Sequence, residues 1–220
     1  MELITKGVKL YYEKAGSGSP ILLLHGNGED HTIFDKLAEK LSADFTVYTP
    51  DSRCHGKSGT GKLDYDLMAE DIVGFIRTFE IKRPVLYGFS DGGIIGLIIA
   101  MKYPDLLSRL IVSGVNINPL GLKLGDLLSY GMQYLRKRSV FDRLILTQPH
   151  IKTEELGKIN IPVLLTAGEH DLIRKKHTKA IANAIPGSKL IILPGEDHES
   201  YIVHSDKMHK IIKNSEQEHL

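Results

Sequence analysis

A chain of 220 residues, 42% hydrophobic and 25% charged, has the composition of an ordinary folded protein. Folding at this length buries roughly 70% of the unfolded surface, so a core forms without disulfides or metals; a disordered, collagen-like or disulfide-scaffold chain is excluded. Twenty-eight Lys and Arg against 27 Asp and Glu leave a net charge of +1, and no overall field draws the chain to nucleic acid or to a membrane.

Cys54 is the single cysteine, which excludes an intrachain disulfide and fits a reducing compartment. The first residues, MELITKGVKLYYEK, hold no apolar run of signal-peptide length. No stretch reaches the roughly 18 apolar residues of a membrane span. These observations predict a cytoplasmic protein with no membrane insertion.

In chain order, Val8 to Tyr12 is strand-like, and Gly16 to Pro20 turns the chain. Ile21 to Leu24 is an apolar run ending at His25-Gly26. Residues 30–41 carry Ile33, Phe34, Leu37, Ala38 and Leu41 at helical spacing. Phe45 to Tyr48 predicts a strand and Tyr65 to Phe79 a second helix. Val85-Leu86-Tyr87 is a strand closed by Gly88, followed by an apolar helix over Ile94 to Met101. Leu110 to Val112, Pro162 to Leu165 and Leu190 to Leu193 complete the strands. Each is uniformly apolar rather than alternating, as strands buried on both faces are. The alternation of strands and helices predicts an α/β fold with a mostly parallel sheet and helices on both faces.

Residues 116–150 break that rhythm. Two helical patterns follow each other with no strand between: Leu124, Leu127, Leu128 and Leu135, then Phe141, Leu144 and Ile145. Gly125 and Gly131 each weaken the first helix by about 1 kcal/mol relative to alanine. This reads as a small helical cap inserted into one domain of residues 1–220. So short a lid predicts an open, accessible site. Asn183 to Ser188 and the tail from Asn214 read as a loop and a frayed end.

Ligands of open α/β sheets bind beyond the carboxyl ends of the strands. Gly88-Phe89-Ser90-Asp91-Gly92 is G-x-S-x-G between a strand and a helix, the context of a nucleophile elbow. Its small residues let a sharp turn lift the Ser90 hydroxyl above the sheet. A serine needs a base, and His198 follows the last strand. Its ordinary pKa near 6.5 suits proton transfer at neutral pH. The base needs an orienting carboxylate, and Asp171 follows the penultimate strand. Glu169 is its rival; Asp197 adjoins the histidine too closely to face its ring. His25-Gly26-Asn27-Gly28 follows an earlier strand. The backbone N–H groups of Asn27 and Asp91 would make an oxyanion hole, in which one donor is typically worth about 3 to 4 kcal/mol. His25 itself reads as loop packing.

These stations, from about Leu10 to Tyr201, resemble the α/β-hydrolase superfamily. Asp51-Ser52-Arg53-Cys54-His55-Gly56-Lys57-Ser58 resembles its D-x-R-G-H-G-x-S loop, with Cys54 where glycine is usual. The resemblance implies an eight-stranded sheet with a small helical cap. Gly88 to Gly93 and Lys102-Tyr103-Pro104 are similar to the biphenyl-hydrolase-like, valacyclovirase-type branch. In that branch the acid after the nucleophile is associated with a substrate amino group, and Asp91 stands there. An aspartate is also simply favourable in the first turn of a helix.

The expected function is therefore a serine hydrolase acting on a small carboxylic ester, with Ser90, His198 and Asp171 as catalytic residues and no cofactor or metal. Gly26, Asp91, Leu124 and Leu128 are the candidate substrate contacts. The alternatives are a small-molecule receptor that retains the triad, or thioesterase, C–C hydrolase or haloperoxidase-type chemistry on it; fold alone does not separate these. Gly56 to Leu63 nearly spells a P-loop, but Leu63 stands where a hydroxyl must bind Mg²⁺. Arg136-Lys137-Arg138 and Arg174-Lys175-Lys176 read as solvated helix ends.

Overall fold

Strands that are apolar on both faces need helices on both faces, and the chain supplies them. The computed structural model describes residues 1–217. Its eight strands are β1 (Glu2–Thr5), β2 (Val8–Ala15), β3 (Ser19–Leu24), β4 (Phe45–Pro50), β5 (Val85–Phe89), β6 (Arg109–Ser113), β7 (Val163–Gly168) and β8 (Lys189–Leu193). They form one sheet in the order β1-β2-β4-β3-β5-β6-β7-β8. The pairs β1–β2 and β2–β4 are antiparallel; the others are parallel. β1 escapes sequence reading because it is an edge strand of only four residues, too short to show a pattern.

The helices are α1 (Asp35–Leu41), α2 (Tyr65–Thr78), α3 (Asp91–Lys102), α4 (Leu124–Lys137), α5 (Val140–Thr147), α6 (Lys175–Ala184) and α7 (Met208–Gln217). One apolar layer joins the sheet to α2, α3 and Ile181 of α6. A second, on the other face, joins it to Leu37 and Leu41 of α1 and to Met208 and Ile212 of α7. α3 is buried from Asp91 to Ala100, which is why its sequence is apolar all round. α4 and α5 lie between β6 and β7 and form the cap.

β2 runs on to Ala15, β3 begins at Ser19 inside the expected turn, and α6 reaches Ala184 inside the expected loop; two further boundaries differ for a visible reason. The helix expected over residues 30–41 is split into a 3-10 turn, His31–Phe34, and α1. Its start is captured by Asp51, whose Oδ1 accepts both the His31 N–H at 2.8 Å and the ring Nδ1–H at 2.7 Å. The tail expected to fray from Asn214 is helical to Gln217, because Ile212 and Ser215 are buried; residues 218–220 lie outside the described residues.

Register sets the height of every strand end. Leu24 pairs with Gly88, Gly88 with Val112, and Val112 with Leu165. The carboxyl ends of β3, β5, β6 and β7 therefore form one edge. The loop at 51–58 is tied beneath this edge. Arg53 Nε–H and Nη2–H donate to the two oxygens of Asp71 on α2, at 2.6 and 2.8 Å, with both side chains buried. Cys54 in this loop has φ 66°, the conformation glycine takes without strain.

Removing one member of a buried ion pair strands the other charge. Asp71→Ala is expected to cost about 3 to 5 kcal/mol in urea unfolding. A loss within about 0.5 kcal/mol, the scale of ordinary surface changes, would show the pair to be structurally idle.

Candidate active site

One residue, Ser90, separates β5 from α3. Its backbone has φ 49° and ψ −112°, a region non-glycine residues enter at a cost of about 1 to 3 kcal/mol. Two hydrogen bonds hold it there: Ser90 N–H to Ser113 O at 2.8 Å, and Ile94 N–H to Ser90 O at 3.1 Å. A Cβ at Gly88 would lie 2.3 Å from Gly92 O, and one at Gly92 would lie 2.1 Å from Leu24 O. The two glycines are thus demanded by backbone contacts within and around the turn.

The loop after β8 folds back over the sheet edge. His198 Nδ1–H donates to Asp171 Oδ1 at 2.8 Å, and the Ile173 N–H fills the same oxygen at 2.9 Å. Both side chains are buried. With Nδ1 carrying the proton, Nε2 is left as the acceptor. The rival carboxylates are exposed and engaged elsewhere. Glu169 accepts the Gly195 N–H, and Asp197 accepts those of Glu199 and Ser200. Gly114, with φ 59°, ends β6 beneath the imidazole; a Cβ there would lie 2.6 Å from His198 Cε1. Phe89 flanks the same ring, centroids 4.9 Å apart.

The loop after β3 is held from three sides. The Gly92 N–H donates to His25 O at 3.1 Å. The Ser52 N–H donates to His25 Nε2 at 3.0 Å, so the ring proton is on Nδ1, which reaches Gly26 O at 2.8 Å. Burial, reinforced by neighbouring His55, pushes the His25 pKa down to about 4. The ring is neutral and structural. Gly26 N–H donates to Glu29 Oε2 at 2.8 Å. Asn27 Nδ2–H donates to Asp91 Oδ2 at 2.9 Å, and the Tyr65 hydroxyl donates to Asp91 Oδ1 at 2.6 Å. Among the described residues the backbone N–H groups of Asn27 and Asp91 have no protein acceptor.

Ser90, His198, Asn27 and Asp91 line one cavity of about 60 Å³, roofed by Tyr130 and Ile145 of the cap. One water occupies roughly 10 to 15 Å³ by this measure, so the space suits a group of a few heavy atoms. Tyr130 and Ile145 of the cap line it on one side. Leu124 and Leu128 are not among its walls. They are 70% and 58% exposed on the outer face of α4, whose inner edge carries Tyr130 instead. Gly26 also stands behind the lining, its N–H spent on Glu29.

Sequence reading missed Glu29, Tyr65, Tyr130, Glu199 and Gln148, all of which line the cavity. Glu29 was legible in principle: it stands three residues after Gly26, the spacing at which a side chain takes a backbone N–H in a tight turn. Tyr65 reads only as the first residue of a helix, and its reach to Asp91 is purely tertiary. Burial raises the Glu29 pKa to about 7, against the Gly26 hydrogen bond, and the charges of Glu199 and Asp91 raise it further. Burial likewise raises Asp91, opposed by its bonds from Tyr65 and Asn27. Asp30, His31 and Asp51 present donor atoms within 4.8 Å of one another, but Asp51 already accepts three N–H groups, from His31 twice and from Lys57.

The family described as alpha/beta hydrolase fold matches residues 19–137. Serine hydrolase BPHL of Mus musculus is 27% identical over 97% of this chain and 84% of its own length. The Homo sapiens protein of that name is 26% identical, with the same coverage. Among solved structures, the enol-lactonase from Burkholderia xenovorans LB400 superposes with a TM-score of 0.82 at 21% identity, covering 99% of this chain and 100% of that one.

The folded chain holds the Glu29 proton more tightly than the unfolded chain, whose carboxyl titrates near the ordinary 4.5. The stability this group contributes is therefore present at low pH and lost as pH rises from about 4.5 through about 7. Glu29→Gln is expected to change its melting temperature less than wild type between about pH 5 and about pH 8. Equal slopes in the two proteins would contradict this.

Proposed function

Since the chain belongs to the alpha/beta hydrolase family, we propose that it is a serine hydrolase cleaving a small carboxylic ester through an acyl-enzyme. The observation that carries the reading is the His198–Asp171 hydrogen bond of 2.8 Å beside a cavity that Ser90 and His198 share.

Ser90 Oγ attacks the ester carbonyl carbon while His198 Nε2 takes the hydroxyl proton. The carbonyl oxygen gains the charge and is held by the N–H groups of Asn27 and Asp91, with the amino end of α3 adding its positive potential. Asp171 stabilises the imidazolium. The tetrahedral adduct collapses, the C–O bond to the alcohol breaks, and His198 returns the proton to the leaving oxygen. Water then attacks the acyl-enzyme, with His198 again as base, to release the acid and free Ser90. The cavity's size favours a short acyl group.

Asp91 gives the substrate class a finer form. Its buried carboxylate borders the cavity and receives one hydrogen bond on each oxygen. Each oxygen keeps a lone pair for a further donor. A cationic α-amine next to the scissile carbonyl would match it, so α-amino esters are the proposed preferred substrates.

Ser90→Ala is expected to abolish turnover of short p-nitrophenyl esters with an unchanged circular dichroism spectrum; wild-type rates in that variant would rule the mechanism out. Gly114→Ala, which crowds the imidazole, is expected to lower kcat about 100-fold, the scale of an ångström-level misplacement, with little change in KM. Asp91→Asn should lower kcat/KM for α-amino esters about 10- to 100-fold more than for their des-amino counterparts, the worth of one charged hydrogen bond. An equal loss on both series would remove Asp91 from amine recognition while leaving the hydrolase reading in place.

A further inference from the structure

α4 buries no residue completely. Leu124, Leu128, Met132 and Leu135 recur every three or four positions and form one stripe along its outer side, each more than half exposed. Leu120 before the helix and Val140 after it are exposed apolar side chains as well. Single exposed apolar side chains are ordinary, but four aligned on one helix face are not. The opposite edge of the same helix carries Tyr130 over the cavity, so the stripe is not the packing face turned slightly outward. It is a second apolar face without a partner.

Charge identifies the partner. Residues 116–150 contain five cations, Lys123, Arg136, Lys137, Arg138 and Arg143, and two acids, Asp126 and Asp142. All five cations are exposed, Asp126 is half-buried and Asp142 is buried. The rest of the chain carries 23 Lys and Arg against 25 Asp and Glu. The near-zero net charge therefore conceals a basic cap on a slightly acidic body. Three of the cations, Arg136, Lys137 and Arg138, lie together at one end of the stripe; Lys123 at the other end donates to His170 O at 3.4 Å, beside Asp126, Asp197 and Glu199. An apolar face bordered by Lys and Arg is the pattern of a helix that lies in a membrane interface. Among the described residues no helix is long and apolar enough to cross a membrane, so the contact is one of lying on the surface.

We propose that the outer face of α4 docks this protein onto anionic lipid bilayers. The apolar stripe sits at the level of the headgroups, and the flanking cations meet lipid phosphates and carboxylates. The mouth of the cavity beneath the same helix is thereby held close to the bilayer. This proposal does not depend on the chemistry at Ser90.

Co-sedimentation of the full chain with vesicles tests it. Vesicles of phosphatidylcholine alone are compared with vesicles containing about one-third phosphatidylglycerol, at low and high salt. Binding is expected to the anionic vesicles, to be weak on neutral ones and to fall with salt. The triple variant Arg136→Gln, Lys137→Gln, Arg138→Gln should weaken it about 100-fold, since each cation near such a surface contributes about a factor of five. Met132→Glu with Leu135→Glu should abolish it while leaving hydrolysis of a water-soluble ester at the wild-type rate. Failure to bind anionic vesicles would overturn the proposal, as would undiminished binding by the double glutamate variant. A wild-type dimer in sedimentation velocity that Leu135→Glu converts to monomer would also overturn it and assign the face to a second copy.

Discussion

The backbone of Ser90 must hold a positive φ while the chain passes from the end of a central strand straight into a buried helix, and the rest of the site is arranged around that turn. The turn closes only because Gly88 and Gly92 approach each other's backbone, and because Gly92 meets Leu24 with no side chain between. The strain is offset by ties to both neighbouring strands' ends: Ser90 to Ser113, the last residue of β6, and Gly92 to His25 just beyond β3. The parallel register fixes those acceptors at the right height. One geometric demand thereby determines three adjacent connections. The Ser90 side chain at the cavity wall, the unpaired Asp91 N–H and the amino end of α3 all follow from it.

A second set of contacts joins this turn to groups distant in sequence. Asn27 reaches Asp91 across 64 residues, and Tyr65 reaches it across 26. Asp91 thus ties the Asn27 loop to the turn at Ser90, and both residues line the same cavity. Its charge is costly in so buried a place, and the two donors offset that cost. Glu29 has one donor and more of its desolvation uncompensated, which is why it titrates near neutral pH. On the other side, His198 sits on a loop that returns over β6 and β7. Gly114 leaves room for its ring, and Gly168, where a Cβ would lie 2.2 Å from Asp197 O, leaves room for its backbone. The imidazole is positioned as much by missing side chains as by the hydrogen bond to Asp171.

The cap divides its labour by helical face. A helix shows any one side to the core over only part of its circumference, and α4 has apolar residues on more than that part. Tyr130 serves the cavity; the Leu124 to Leu135 stripe does not. Assigning Leu124 and Leu128 to the pocket assumed that apolar residues in a lid point inward. The cap is too thin for that to hold, since α4 rests on α5 and the mouth of the site rather than on a sheet.

From the sequence alone came the layered α/β architecture, because uniformly apolar runs of strand length can only be buried on both faces. The same holds for the elbow, which is a local rule about glycines around one strained residue, and for the position of Asp171 and His198 after the last two strands, which is a matter of chain order. The one-dimensional pattern favoured Asp171 but left Glu169 as a rival. That choice required the distance to His198 and the competing hydrogen bond from Gly195 to Glu169. The edge strand β1 was too short to recognise. The carboxylates Glu29 and Glu199, the Tyr65 and Asn27 bonds to Asp91 and the outward turn of Leu124 and Leu128 were settled only by the fold. Each of these depends on which side chains meet across long separations or on which way a helix is rotated, and periodicity identifies a helix's faces without saying what each face will touch.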